Sequence, residues 1–322
     1  MNFDLDETEL ALQQGIRGLY RGRFPVERLR ATEGRVDRDL WRELAEAGVF
    51  SLRLPEADGG TGARVTDAAV VFEELGRALV HGPVLGTHLA AGLVDGAADG
   101  GAVVGLVEAE RSPLVVEHAD DLDALLVLHR GEVTVTDAAG LPTQAAPRPL
   151  DPLTPVSHVT GPLPHGTVVG DAALARQLRR TAAVLRAAQL VGLAGTAMDL
   201  AVRYAGEREQ FGRPIGGFQA IKHLCADMLA RTEVARAAVH AAAVHLGSPD
   251  DAELGDLDRA IAGAVLLAGE AAKRNGKAGI QVHGGMGFTW EVDAHLPLKR
   301  AAVLCALDGG LDAQAERVAA TL

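Results

Sequence analysis

The C-terminal half of this 322-residue chain carries four long stretches in which apolar residues recur at helical spacing. Asp171 precedes the first stretch and is a plausible N-cap for it. The stretches run over residues 172–204, 218–246 and 256–283, and onward from about residue 293. Four long antiparallel helices of this kind pack as a bundle. Residues 171–322 therefore predict a C-terminal four-helix bundle.

The residues before the bundle also show helical spacing, in four shorter stretches at 8–24, 34–48, 66–81 and 85–98. We therefore expect residues 1–99 to form an N-terminal helical domain. The glycine cluster Asp58-Gly-Gly-Thr-Gly62 interrupts this series. A cluster like this can cradle a phosphate, but no strand precedes it in a βαβ arrangement. We interpret it as a turn that uses glycine for positive φ.

Between residues 100 and 170 the sequence changes to short β-forming runs separated by Gly, Pro and Asp. These runs, at 102–107, 114–117, 125–129 and 132–136, predict a small central β-domain. The stretch 142–164 contains seven prolines, and each proline fixes φ and lacks a backbone donor. We expect this stretch to loop back to the helices without regular helix or central strand.

The composition argues against several classes of partner. The formal net charge is −12, whereas nucleic-acid binding depends on neutralising phosphates with basic side chains. The acidic N-terminus does not resemble a secretory signal, and apolar stretches such as 260–272 are too short to span a membrane. Cys225 and Cys305 lie in helical patterns, and no Cys/His spacing predicts a metal site. We expect a cytoplasmic protein with reduced thiols and a small organic or thioester ligand.

A candidate binding motif lies between the first two helices of the bundle, in the run Arg203-Tyr-Ala-Gly-Glu-Arg-Glu-Gln-Phe-Gly-Arg-Pro-Ile-Gly-Gly-Phe-Gln219. Arg208 follows a long helix here and precedes a glycine-proline turn. A guanidinium in this place can hold a pyrophosphate by charge-assisted, bidentate hydrogen bonds, and Phe211 can pack on a nucleotide ring. An isolated arginine would more often form a surface salt bridge with a neighbouring glutamate, Glu207 or Glu209.

A second motif, Gln281-Val-His-Gly-Gly-Met-Gly-Phe288, follows the third helix of the bundle. Gly284 and Gly285 allow a dinucleotide to approach the backbone closely and present unobstructed amide groups to it. Taken without the first motif, the same residues predict only the end of a helix and a turn. His283, within the motif, is interpreted as a structural residue because nothing pairs it with a nucleophile.

Together the two motifs, in this order on a predicted helical bundle, resemble the signature of the acyl-CoA dehydrogenases. The run Glu73-Glu-Leu-Gly-Arg77 extends the resemblance, more weakly, to the N-terminal helices. The resemblance implies a mainly α fold with a small central β-domain, FAD as cofactor, and dehydrogenation between Cα and Cβ of an acyl-CoA substrate. It also implies a set of residues that contact the FAD of a neighbouring subunit: Arg208, Phe211, Gln219, Gln281, Gly284 and Gly285.

Two parts of the family pattern differ in this chain. Family members hold the flavin ring with a Thr-Glu-Pro-like turn and a Trp-Ile-Thr-like strand, and neither occurs here, so residues 100–170 are interpreted as a truncated β-domain. The catalytic carboxylate, usually Glu, falls at Asp308, which is shorter by one methylene and is therefore the candidate base. An Asp at a helix end beside two glycines is more often a turn residue. The alternative family position for the base falls at Ala182, which cannot accept a proton.

The main hypothesis is that the chain is one subunit of a heteromeric FAD-dependent acyl-CoA dehydrogenase. A second, complete subunit would finish the flavin site in a dimer or tetramer, and the substrates would be bulky acyl-CoA thioesters of lipid or steroid catabolism. Two alternatives remain. One is a homo-oligomeric dehydrogenase that uses Asp308 as its base, and the other is a non-catalytic helical protein that keeps the bundle only for assembly.

Overall fold

The structure is a computed structural model that describes residues 5–23, 25–248 and 254–320. Its internal contacts divide the chain into two compact units. Unit 1 comprises Met1–Tyr20, Ala69–Val80 and Ala183–Leu322, and unit 2 comprises Arg21–Ala68 and His81–Ala182. Each unit is therefore assembled from segments that are distant in the sequence.

The described part of the chain is mainly helical, as the sequence predicts. Its α-helices are α1 (Glu7–Arg23), α2 (Val26–Ala31), α3 (Arg38–Glu46), α4 (Val65–Arg77), α5 (Val84–Ala90), α6 (Ala172–Glu207), α7 (Gln219–Gly247), α8 (Leu257–His283), α9 (Leu296–Leu307) and α10 (Leu311–Ala319). The fourth predicted bundle helix is thus two shorter helices, because Gly309 and Gly310 both take positive φ between them. The helix predicted over 85–98 ends at Ala90, and Gly92 and Gly96, also at positive φ, turn the chain after it.

Seven strands of unit 2 form two small sheets. They are β1 (Val104–Glu108), β2 (Val115–Glu117), β3 (Ala124–Leu128), β4 (Glu132–Asp137), β5 (Thr143–Ala145), β6 (Val156–Val159) and β7 (Thr167–Asp171). The four-stranded sheet has the order β1-β3-β4-β7, with β1 parallel to β3 and the other pairs antiparallel. The three-stranded antiparallel sheet has the order β2-β6-β5. A small β region is confirmed.

The prediction that 142–164 holds no central strand is wrong. β6 is the middle strand of the three-stranded sheet and pairs with both β2 and β5. It fits between Pro155 and Pro162, so no proline has to supply a donor inside the strand. The prolines set the ends of this strand and leave its interior regular.

Unit 2 buries α5 completely, from Val84 to Ala90. The helix lies against β1, and a side chain at Gly86 would overlap the carbonyl oxygen of Val104. His88 on the same helix is fully enclosed, and this burial lowers the pKa of its imidazole to about 4, although its ring nitrogen Nδ1 lies 2.8 Å from the Val49 carbonyl oxygen. The imidazole is therefore neutral at pH 7.

The helix α6 is the longest element of the chain. It begins as predicted, because Asp171 Oδ1 accepts hydrogen bonds of 3.0 Å from the backbone amides of Ala173 and Leu174. It is also long and apolar enough to span a membrane, but 83% of its most apolar window is buried inside the protein. A high buried share is what the central helix of a packed core shows.

In unit 1, α4 and α6 approach each other backbone to backbone through two glycines. A methyl group at Gly76 on α4 would overlap the main chain of Gln189, and one at Gly192 on α6 would overlap the carbonyl oxygen of Glu73. Two helices can come this close only where neither carries a side chain. The contact fixes where α6 lies in this unit.

The close approach buries two neighbouring carboxylates of α4. The side chains of Glu73 and Glu74 are 7% and 2% exposed. Arg17 of α1 donates two hydrogen bonds of 2.8 Å to Glu74, and Arg236 of α7 donates to Glu73 at 2.9–3.1 Å. Burial lowers the pKa of the Arg236 guanidinium, but the hydrogen bonds and the charge of Glu73 raise it by more. These pairs tie α1 and α7 to α4.

A buried amide joins α6, α7 and α8. Asn275 on α8 is fully buried, and its Nδ2 donates to the carbonyl oxygens of Ala194 and Met228 and to Thr232 Oγ1 at 2.9–3.2 Å. Its Oδ1 accepts a 2.9 Å hydrogen bond from Arg231 Nε. Because donors and acceptor are all satisfied, this amide specifies how the three helices meet.

The glycine contact predicts a strong and specific effect of one added methyl group. Gly192→Ala should lower the free energy of unfolding by about 1–3 kcal/mol, because the new methyl group meets backbone that cannot rotate away. Gly263→Ala on α8 is the matched control, since a side chain there meets no atom within 4 Å, and it should raise stability by about 0.5–1 kcal/mol. Urea denaturation of both variants measures the difference, and equal effects would contradict this packing.

Candidate cofactor site

The segment after α6 forms a tight hairpin of two short strands, β8 (Glu209–Gln210) and β9 (Arg213–Pro214). Its two turn residues, Phe211 and Gly212, have φ of +55° and +75°. Positive φ at both positions is the type I′ turn of two-residue hairpins, which favours Asn or Gly at the first of them. The turn points the Phe211 side chain outward, and 92% of it is exposed.

The positive φ of Phe211 destabilises the folded chain, and burial of the side chain does not offset this because the side chain is exposed. A residue with a side chain in the left-handed region costs roughly 1–2 kcal/mol. Within the chain the Phe211 ring meets the ring of Phe218 edge-on, with 6.1 Å between centroids. The guanidinium of Arg213 makes a cation–π contact with the Phe218 ring, 4.2 Å from its centroid. A strained, exposed aromatic of this kind is a candidate contact for another molecule.

The second motif, Gln281–Phe288, spans the end of α8 at His283. Gly284 has φ of +60° and starts a short 3-10 helix, Gly284–Phe288. A side chain at Gly284 or Gly285 would meet no atom of the described chain within 4 Å, whereas one at Gly287 would collide with Ile280. Packing inside the chain therefore explains Gly287 but leaves the backbone at 284–285 open to a ligand.

The structure brings the two motifs to one end of the bundle. The ring of Tyr204, on the last turn of α6, stacks on the ring of His283 with 4.3 Å between centroids. His283 is buried, and its Nδ1 lies 2.8 Å from the Gly279 carbonyl oxygen, which agrees with a structural role. Beneath the two rings lies an apolar cluster of α6, α7 and α8: Ala197, Ala201, Ala205, Met228 and Val282.

The predicted cofactor residues all lie exposed at this end of the bundle. They are Arg208, Phe211, Gln219, Gln281, Gly284 and Gly285. Within the described part of the chain, Arg208 pairs with no carboxylate, so the alternative of a salt bridge to Glu207 or Glu209 is not seen. The side chains of Gln219 and Gln281 have no intrachain hydrogen bond there either. These groups are available to a molecule outside the chain.

Asp308 lies in a different setting. It follows α9 in the turn to α10, and its side chain is only 5% exposed. Its Oδ1 accepts a hydrogen bond from Nη1 of Arg186, a residue of α6 whose side chain is 8% exposed. Its backbone oxygen accepts a 3.2 Å hydrogen bond from Gln314 Nε2. The candidate base is thus a member of a buried ion pair.

Sequence reasoning missed Arg186. The signal was present, because this arginine interrupts the apolar run from Ala182 to Ala188 in the middle of a long helix. An arginine in such a run needs a buried carboxylate as partner. Only the fold shows that the partner is Asp308, 122 residues further along the chain. Ala182, the other family position for a base, is buried and carries no ionisable group.

Comparison with known proteins identifies the family. The acyl-CoA dehydrogenase N-terminal domain matches residues 6–97, and the acyl-CoA dehydrogenase C-terminal domain matches residues 173–322. The chain is 37% identical to the acyl-CoA dehydrogenase IpdE2 of Mycobacterium tuberculosis over 295 residues, which covers 88% of this chain and 86% of that protein. The chain therefore belongs to the acyl-CoA dehydrogenase family, whose cofactor is FAD.

Two solved structures share the fold over nearly their whole length. The ChsE4-ChsE5 complex from Mycobacterium tuberculosis superposes with a TM-score of 0.84 at 23% identity and covers 99% of this chain and 98% of the chain compared. The Tcur3481-Tcur3483 steroid acyl-CoA dehydrogenase, in its G363A variant, gives a TM-score of 0.80 at 25% identity with 97% of both chains covered. The predicted acyl-CoA dehydrogenase fold is confirmed.

The strained turn predicts that Phe211 lowers the stability of the chain on its own. Phe211→Asn should raise the free energy of unfolding by about 1 kcal/mol, because Asn tolerates positive φ better than Phe. Phe288→Asn is the control, since Phe288 is 82% exposed without positive φ and should change stability by less than about 0.5 kcal/mol. Thermal unfolding of the isolated chain compares them, and a loss of stability in Phe211→Asn would show that the ring packs within the chain.

Proposed function

We propose that this chain is one subunit of an FAD-dependent acyl-CoA dehydrogenase and supplies the part of the flavin site that reaches across to a neighbouring subunit. The observation that carries the proposal is the exposed end of the bundle. There, Arg208 and Gln281 have no side-chain partner in the described chain, Phe211 is held outward by a strained turn, and the backbone at Gly284 is open. A dinucleotide offers a partner for each of these groups.

The residues present fit the phosphate and nucleotide parts of FAD. The Arg208 guanidinium supplies charge-assisted hydrogen bonds suited to a pyrophosphate. The backbone at Gly284 and Gly285 lets phosphate or sugar approach amide groups without a side chain in the way. Phe211 offers a flat apolar surface for a nucleotide ring, and Gln219 and Gln281 offer amide groups. FAD, when bound, accepts the hydride that leaves Cβ of the acyl-CoA.

We propose a heteromeric assembly because this chain's cofactor residues face outward and its candidate base is already paired. A base for the α-proton has to be an available carboxylate within reach of the substrate, and Asp308 is held by Arg186 in a buried site. The structurally similar ChsE4-ChsE5 and Tcur3481-Tcur3483 proteins are two-component assemblies by name. A dimer or tetramer with a complete acyl-CoA dehydrogenase subunit would place both halves of a flavin site together.

A structural relative supports the proposed substrate class, and the cysteines of this chain support the proposed compartment. The Tcur3481-Tcur3483 protein is a steroid acyl-CoA dehydrogenase, so we propose a bulky acyl-CoA of lipid or steroid catabolism as substrate. Both cysteines are free thiols, Cys225 half-buried and Cys305 buried, which suits the proposed cytoplasmic location. The two alternatives, a homo-oligomer with Asp308 as base and an assembly protein without catalysis, share the fold and differ in where flavin and activity appear.

The proposal predicts that Arg208 contributes to flavin binding in the assembled enzyme. Arg208→Ala, co-expressed with the complete partner subunit, should raise the dissociation constant for FAD by about 10- to 100-fold, because hydrogen bonds from a charged donor are lost. Arg274→Ala is the matched control, since this exposed arginine of α8 pairs with Glu270 on the surface. Flavin fluorescence on titration of the apoenzyme gives both constants.

The outcomes distinguish the three functional hypotheses: a heteromeric enzyme, a homo-oligomeric enzyme and a non-catalytic assembly protein. Weaker flavin binding in Arg208→Ala but not in Arg274→Ala supports the cross-subunit site. A chain that binds FAD fully and dehydrogenates acyl-CoA alone would establish the homo-oligomeric enzyme instead. Assembly with the partner but no effect of Arg208→Ala on flavin would favour an assembly role.

A further inference from the structure

An arginine of unit 2 lacks a partner within the described chain. Arg53 lies in the turn between α3 and α4, its side chain is partly buried, and its Nε is shielded from solvent. Within residues 5–23, 25–248 and 254–320, no hydrogen bond and no ion pair holds its guanidinium. A buried guanidinium in a protein is normally paired. Arg53 is therefore a candidate contact for a group outside the chain.

The surroundings of Arg53 do not neutralise its charge. Burial lowers the pKa of the Arg53 guanidinium, and no carboxylate in the described part of the chain offsets that effect. Arg53 lies near His88 of α5, close enough for its charge to contribute to the lowered pKa of that imidazole. With a pKa of about 4, His88 is neutral at pH 7. The positive charge of Arg53 therefore destabilises unit 2 unless an anion binds beside it.

The loop at residues 54–63, which follows Arg53, does not need the guanidinium. It closes through its own groups, because the Ala63 amide and the Thr61 hydroxyl both donate to the Leu52 carbonyl oxygen, at 3.1 and 2.8 Å. An arginine that served the loop would cap such carbonyl oxygens with its own donors. Arg53 has no such contact, so a role in loop closure does not explain it.

We propose that Arg53 is the anchor of a carboxylate-binding site in unit 2, and that the site takes a carboxylate carried by a small apolar molecule. A guanidinium presents parallel N–H donors that match the two oxygens of one carboxylate. A doubly charged phosphate would be better matched by several cations, and the charge of no other basic group acts on Arg53. The neighbouring Leu52 and the whole of α5 are buried, which suits a ligand whose remaining atoms are apolar.

The carboxylate can come from two sources that share this chemistry. One is a second carboxyl group at the far end of the acyl chain of an acyl-CoA, and this source rests on the proposed function. The other is a free carboxylic acid that binds without CoA. The experiments below separate the two sources.

The stability of the chain purified alone tests whether the charge of Arg53 is uncompensated. Arg53→Met should raise the unfolding midpoint by roughly 2–4 °C, because methionine is also long and unbranched but does not bury a charge. Arg176→Met is the matched control, since Arg176 of α6 is exposed, and it should shift the midpoint by less than about 1 °C. A lower midpoint for Arg53→Met would show that Arg53 stabilises the fold and would overturn the proposal.

Ligand binding is measured with two kinds of probe. Adipyl-CoA and hexanoyl-CoA have equal chain length and differ in a terminal carboxylate, and calorimetry on the assembled enzyme gives the ratio of their dissociation constants. Loss of about 10-fold in the preference for adipyl-CoA in Arg53→Met, but not in Arg176→Met, supports the proposal and assigns the acyl-CoA source. Free adipate is compared with sodium chloride of equal ionic strength. A rise in the unfolding midpoint of the unaltered chain that Arg53→Met lacks supports the free acid.

The contrary result is distinct from failure of the proposed function. If Arg53→Met changes neither the preference for adipyl-CoA nor the effect of adipate, the carboxylate site does not exist. An assembled complex without dehydrogenase activity would instead contradict the proposed function. The melting and adipate measurements on the chain alone would then still decide the role of Arg53.

Discussion

The close backbone contact between α4 and α6 is the constraint on which unit 1 depends. Because Gly76 and Gly192 carry no side chain, the two helices meet main chain to main chain. That approach buries Glu73 and Glu74, and their burial in turn requires the arginines of α1 and α7 that neutralise them. The placement of α6 determines where its last turn lies, and the candidate cofactor hairpin follows directly from that turn.

Buried and exposed polar groups of unit 1 behave in opposite ways. Inside, the Asn275 amide of α8 is satisfied by residues of α6 and α7, and the buried carboxylates of α4 and the turn before α10 are matched by arginines. At the end of the bundle, Arg208 and Gln281 have no intrachain partner in the described residues. These exposed groups at the end of the bundle are what support the proposal of a ligand shared with another subunit.

Much of the fold follows from the sequence, for physical reasons that are easy to state. Helices α6, α7 and α8 are long and periodic, and their boundaries lie within a few residues of the prediction because Asp171 and Gly284 act as a cap and a stop. Short elements were harder to predict. β6 is only four residues long and lies between prolines, which predict a loop. It forms a strand because it pairs with β2 and β5, and this pairing cannot be seen in the sequence.

The candidate site, like the fold, was predicted from the sequence only in its local features. The sequence predicted a binding motif at Arg208 and at Gly284, since a motif is local, and the structure brings these residues to one end of the bundle through Tyr204 and His283. The sequence did not predict that Phe211 has a positive φ and an exposed side chain, because both depend on the conformation of the turn. It also missed Arg186, because an ion pair across 122 residues exists only in the folded chain.

The central claim is that this chain holds FAD only together with another subunit. The most direct measurement is the flavin content per chain, by absorbance and native mass, for the protein purified alone and after co-expression with a complete acyl-CoA dehydrogenase subunit. The account predicts no bound flavin in the protein alone and one flavin for each pair of unlike chains in the complex. A fully loaded flavoprotein formed by this chain alone would contradict it.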